Sequence, residues 1–204
     1  GIITTLRVFR LICGLALTLI IARNESIANL GEYTFKLAIV AFASNFILLG
    51  NDREVLFSLE TSKVKRKVSK TLPYLLLLVG ISVVFQYFYH EFWLISTILF
   101  AAVSKLIGAM LIRLNSPIKG VLFNDLLWIF IMVSIYFFFK DWRISLFLSQ
   151  MLTFIVAIYI SNIGKMTINK LEITKRQLML YLDNIINTLW LNIDVMLLGL
   201  IRAN

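Results

Sequence analysis

The sequence predicts an all-α, polytopic membrane protein, and three observations carry that prediction. Of 204 residues, 60% are hydrophobic and 15% charged, with a mean hydropathy of +0.89. A soluble domain of this length keeps far more polar surface. The apolar residues gather in seven runs, about 3–23, 34–50, 72–89, 92–112, 119–139, 144–163 and 178–201. A helix needs roughly 20 apolar residues to cross a hydrocarbon core about 30 Å thick. Apolarity within each run is continuous, which excludes the alternating pattern of an outer-membrane barrel.

The first run contains Arg7 and Arg10 and lacks a small-residue cleavage site, so it does not have the form of a signal peptide. The second is short and is expected to extend into its polar flanks, 24–33 before it and Gly50-Asn51-Asp52-Arg53-Glu54 after it. Segment 51–71 reads as a loop carrying Arg53, Lys63, Lys65, Arg66, Lys67 and Lys70. Loop 113–119 has Arg113 and Lys119, and 164–177 has Lys165, Lys170, Lys175 and Arg176. The intervening loops 24–33 and 88–92 have no Lys or Arg, while 140–143 has Lys140 and Arg143. Positive charge collects in cytoplasmic loops, so the N-terminus is expected in the cytoplasm with the odd-numbered helices running outward.

Segment 164–177 alternates Met166, Ile168, Leu171 and Ile173 with Lys and Thr, as an amphipathic stretch on the membrane surface would. It is the expected boundary: 1–163 forms a six-helix bundle, 164–177 a cytoplasmic linker, and 178–204 the first helix of a further unit. The first residue is not Met and the chain stops just after an apolar run, so a fragment of a longer protein is expected. The net charge of +9 belongs to loops between apolar runs and does not point to nucleic acid. Cys13, the single cysteine, lies in an apolar run and reads as a small buried residue.

Ionisable residues within spans are costly and mark functional positions, because each must face the bundle interior or water. Arg7 and Arg10 are one turn apart on one helix face. Guanidinium groups grip phosphate oxygens bidentately; snorkelling to headgroups is the alternative. Lys36 suits a headgroup contact, and Lys105 suits either a cavity or a headgroup. Asp125 fits the first turn of the fifth helix, where the helix dipole favours an acid. In the seventh run Asp183, Asn187 and Asp194 share one face with Trp190 close to it. A buried carboxylate such as Asp194 would carry a proton or pair with a cation from another helix. Asn45, Gln86 and Gln150 suit hydrogen bonds between helices.

No enzyme chemistry is visible. His90 is the only histidine and has no metal-spaced partners, and no glycine-rich phosphate loop occurs. No cofactor and no metal are expected.

The chain resembles the polysaccharide-biosynthesis, or Wzx-type, oligosaccharide flippases, relatives of the lipid II flippase and the MATE drug exporters. The resemblance rests on Arg7-x-x-Arg10, on Ala22-Arg23 leading to Leu30-Gly31-Glu32-Tyr33, on Gly50-Asn51-Asp52-Arg53-Glu54, and on Asn192-Ile193-Asp194-Val195-Met196-Leu197-Leu198-Gly199. It is clearest over 1–54 and 178–204; after Arg23 the family's common Gly-Pro is replaced by Glu25-Ser26-Ile27. It implies a truncated MATE-like fold: six helices of a first bundle plus the first helix of a second, around a central cavity that opens to either face in turn. It also implies a substrate, an undecaprenyl-diphosphate-linked oligosaccharide moved across the bacterial inner membrane for O-antigen, capsule or exopolysaccharide assembly. Membrane lipids and other polysaccharide-assembly membrane proteins are the implied partners. On this resemblance Arg7, Arg10, Arg53 and Lys105 would contact diphosphate or sugar, and Asp194, Asp183 and Asn187 would serve coupling or gating.

Two other readings compete. A MATE-type drug/ion antiporter is disfavoured because arginine-rich helices repel cationic drugs. A multispanning envelope-assembly enzyme, a polymerase or acyltransferase, needs a large outer loop or an intramembrane His/Asp site that these residues do not provide.

Overall fold

The computed structural model describes residues 2–58, 61–89, 92–114 and 117–161, and further on 179–183, 186, 187, 189, 190 and 193. Among them the chain is helical, with no strand. The helices are α1 (Ile2–Asn24), α2 (Ile27–Leu48), α3 (Asn51–Phe57), α4 (Thr61–Phe88), α5 (Trp93–Arg113), α6 (Pro117–Val121), α7 (Leu127–Phe139) and α8 (Trp142–Ser161). A π-helical turn, Leu122–Leu126, joins α6 to α7.

Four of these helices, α1, α4, α5 and α8, are long and apolar enough to cross a membrane, and α2 with α3 makes a fifth if the bent pair counts as one span. Helix α7 alone has 13 residues and reaches spanning length only as the continuation of α6 and the π turn. The linker 164–177, Asp194 and most of the seventh run lie outside the described residues.

Local chemistry sets the helix ends. Ser26 caps α2, its Oγ accepting from the Asn29 N–H at 3.2 Å. This lets α2 begin seven residues before the apolar run does. At the start of α8 the Asp141 carboxylate accepts from the N–H groups of Arg143 and Ile144, at 2.7 and 3.3 Å. Helix α2 stops at Leu49 and Gly50, two successive residues with left-handed φ of 50° and 73°. Gly50 tolerates this freely and Leu49 does not. The chain then turns by 69° into α3.

The expected loop 51–71 is a correction: it is helical over 51–57 and again from 61 onward. Polar residues do not disfavour a helix; they only disfavour the bilayer. Lys and Arg are good helix formers in water, so α4 continues beyond its apolar part for about three turns.

Helix α5 is the central post. Every residue from Ser96 to Leu111 is buried except Lys105. Its faces pack on α2, α3, α4, α6 and α8. Leu72, Leu75 and Val79 of α4 meet Leu99, Val103, Leu106 and Met110 of α5 in one core. A second core joins Leu17 and Ile21 of α1 to Tyr33 of α2, Ile129, Met132 and Tyr136 of α7, and Trp142 and Leu146 of α8. Small residues let backbones approach closely in such bundles. Gly120 is the clearest case, because a Cβ there would meet the Gly108 carbonyl oxygen and the Ile112 N–H nitrogen, both at 2.7 Å.

Helix α1 lies at the edge. Leu17 and Ile21 are buried, whereas Val8, Phe9, Leu11, Ile12, Leu15 and Leu19 are all exposed.

The two ends of the bundle differ in charge. Where α4 and α6 begin and α5 and α8 end, the described residues include Arg53, Lys65, Arg66, Lys67, Lys70, Arg113 and Lys119 against Asp52 and Glu54. At the opposite end Glu25, Glu32 and Asp141 accompany Arg23, Lys140 and Arg143. Tyr33, Trp93 and Trp142 pack edge to face there, with centroids 5.7 and 6.2 Å apart.

Candidate functional site

Among the described residues, charged and polar groups come together where α2 bends into α3 against α5. Lys105 is the one residue between Ser96 and Leu111 of α5 that is not buried, and it points at α2. Its Nζ donates to Ser44 Oγ at 2.7 Å, to Asn45 Oδ1 at 3.1 Å and to the Ala41 carbonyl at 3.4 Å. Three acceptors match the three donors of an ammonium group. Ser44 is fully buried, so this clamp lies between the helices and not at a headgroup surface.

Asp52, in the first turn of α3, is largely desolvated, and the positive charges of Lys105 and Arg53 both act on its carboxylate. Its Oδ1 is buried with no hydrogen-bond partner among the described residues. Next to it, Asn51 is buried and its side-chain amide donates to the Leu48 carbonyl at 2.8 Å. That bond satisfies one of the carbonyls left open at the end of α2. Two further contacts fix α3 in place. Glu54 pairs with Lys67 of α4 at 2.6 Å, and the Arg113 guanidinium donates to the Ser58 carbonyl just after α3.

The site is a polar knot at a helix break, with one amine, one carboxylate and the amide and hydroxyl groups that hold them. An amine in this position can brace the break. It can engage an anion only by giving up one of its present acceptors.

The residues singled out from the sequence are distributed unevenly around this knot. Lys105 is its centre and Arg53, partly buried, belongs to it. Asn45 makes the bond between helices expected of it. Arg10 is exposed on α1, and the Arg7 side chain is outside the described set. Lys36 is partly buried near the middle of α2. Asp183 and Asn187 are exposed, and Trp190 strongly so. Their segment reaches α2 through Tyr181, whose ring packs on Phe46 at 5.7 Å, one residue from Asn45. The side chain of Asp125 and all of His90 and Asp194 lie outside the described residues. Gln150 is buried on α8, and Gln86 has a buried Oε1 without a partner among the described residues.

Sequence reasoning missed Ser44, Asn51, Asp52, Glu54 and Lys67 as members of one site. A usable signal existed for one of them: Ser44 stands beside the polar Asn45 deep in an apolar run, as Lys105 stands in another. Among the described residues, no three of His, Cys, Asp and Glu lie close enough together to hold a metal ion. Comparison with protein-family models, curated proteins and solved structures gave no match, so the chemistry of the knot itself has to carry the functional reading.

Proposed function

We propose that the chain is the first bundle of a flippase that carries an undecaprenyl-diphosphate-linked oligosaccharide across the bacterial inner membrane by alternating access. The observation that carries this reading is the Lys105 clamp: an ammonium group held between α2 and α5, near a desolvated carboxylate, at the 69° bend between α2 and α3. A charge inside a membrane is expensive and marks a pathway for ions or substrate. Broken helices with polar groups at the break are how transporters build sites near the middle of the bilayer.

Within this reading the cation-rich end faces the cytoplasm, following the positive-inside rule. Six helices form one half of the cavity, and the segment from 178 begins the other half. Arg10, on the open edge of α1, meets the diphosphate together with Arg7. Lys105 and Asp52 act as a positioning pair that sets the angle between α2 and α3, with Arg53 at the mouth. Asp183, Asn187 and Asp194, on the helix that begins the second bundle, take the coupling or gating role.

The test is complementation. The complete reading frame is expressed in a bacterium lacking its O-antigen flippase, with matched glycan pathways, and surface polysaccharide is scored at equal protein level. Export that is lost in Arg10→Ala and weakened in Lys105→Met supports the reading. Normal export by Arg10→Ala discards the diphosphate contact. No export with any pathway, while the protein is inserted and folded, discards the function.

A further inference from the structure

A groove of about 360 Å³ opens on the flank of the bundle, between the π turn, α7 and the end of α8. It is lined by Leu122, Phe123 and Leu126 of the π turn, Leu127 and Phe130 of α7, Ile160 of α8 and Lys119 of α6. Apart from Lys119 every lining residue is apolar.

Two features of the chain build this groove. The π turn is wider than an α turn, and such bulges inside helices are frequent at functional positions. Gly120 holds α6 against α5 at a distance no side chain would allow. The next residue along a helix points about 100° away, so Lys119 is turned off α5 and toward the groove. Lys119 is exposed and takes no ion pair or hydrogen bond among the described residues. Phe9 of α1 packs on the lining residue Phe130 with centroids 5.8 Å apart.

We propose that this groove holds one acyl chain of an anionic phospholipid, with the headgroup phosphate met by Lys119. The inference stands independently of the transport reading. Its volume is near the lower end for small-molecule pockets, which suits a single hydrocarbon chain. The apolar lining excludes a polar ligand, since buried polar groups need partners. The choice of an anionic headgroup follows from charge. Lys65, Arg66, Lys70 and Arg113 share the end of the bundle at which Lys119 stands. A basic residue near anionic lipid contributes about 1 kcal/mol, which corresponds to about a fivefold preference.

The experiment is native mass spectrometry of the intact chain released from nanodiscs with equal phosphatidylglycerol and phosphatidylcholine. The expected result is retained phosphatidylglycerol in excess over phosphatidylcholine. Lys119→Gln lowers that ratio about fivefold, Leu122→Trp fills the groove and lowers retention of both lipids, and Lys140→Gln, at the opposite end, changes neither. Far-UV circular dichroism confirms that the variants fold; Lys119 is exposed, so Lys119→Gln decides the matter if Leu122→Trp does not. Equal retention of the two lipids, or an unchanged ratio in Lys119→Gln, overturns the proposal. So does a polyprenyl lipid, in place of a glycerophospholipid, as the species released from protein purified out of native membrane.

Discussion

The ammonium nitrogen of Lys105 lies 2.7 Å from the hydroxyl oxygen of Ser44, across 61 residues of sequence. The bond joins the most buried helix of the bundle to the last turns of α2 before the chain bends. It fixes the level at which the two helices meet, because a slip by one turn would leave the amine facing apolar side chains. Buried polar partners specify register in this way when each has its complement.

Lys105→Met is therefore expected to destabilise the fold by about 1–3 kcal/mol, the range for hydrogen bonds to a charged group and for the acceptors they leave behind. Thermal unfolding in nanodiscs measures it. Lys105→Arg should recover part of the loss and Ser44→Ala should cost about 1 kcal/mol. An unchanged midpoint in Lys105→Met would show that the amine does not brace the break.

Gly120→Ala introduces a Cβ 2.3 Å from Ile112 Cγ1 and 2.7 Å from two backbone atoms of α5. The side-chain atom can move but the backbone atoms cannot, so α6 must back away. Overpacking of this kind costs about 1–3 kcal/mol. Gly80→Ala is the control: nothing lies within 4 Å of the added carbon, and the change should be neutral or stabilising by up to about 1 kcal/mol. Equal midpoints for the two variants would contradict the packing of α6 on α5.

The pair Glu54–Lys67, with side chains 23% and 17% exposed, ties α3 to α4. Lys67→Glu should lower the unfolding midpoint by placing two carboxylates together, and the double exchange Glu54→Lys with Lys67→Glu should restore most of it. Failure of the exchange to restore would mean that the two positions do not face each other.

By contrast Arg143–Glu32, at 2.7 Å, is solvent-exposed on both sides, 52% and 36%. Such pairs contribute about 0–1 kcal/mol and are screened by salt. A double-mutant cycle with Arg143→Ala and Glu32→Ala should return a coupling below about 1 kcal/mol that shrinks further in high salt.

The helices were legible because the requirement to span a bilayer writes long apolar runs into the sequence. Run 92–112 is α5 almost to the residue, and the expected extension of run 34–50 is present as the first turns of α2. What failed was the inference that a polar segment is a loop. Hydropathy reports the solvent around a helix and says little about the backbone, so α3 and the start of α4 were invisible to it. The π turn at 122–126 was equally hidden, because an extra residue in a turn leaves no mark on composition. The knot was half legible. Lys105 and Asn45 stand out in apolar runs, but their meeting depends on the relative height of α2 and α5, which a single sequence does not carry. Asp52 reads as an ordinary surface acid until α3 is seen to fold it back against α5.

The burial of α5 also dictates an order of assembly. In a chain made from its N-terminus, α1 through α4 enter the bilayer before the helix against which α2, α3 and α4 pack has been made. Membrane helices insert first and associate afterwards, so these early arrivals wait as loosely associated spans. Emergence of residues 93–113 gives α2, α3 and α4 the helix they pack on, while α1 gains most of its partners only with α6, the π turn and α7. The amine of Lys105 gains its three acceptors only once α5 meets α2. A ribosome stalled before residue 93 would leave inserted helices without an interior, and such a species is what quality-control proteases of the membrane would meet first.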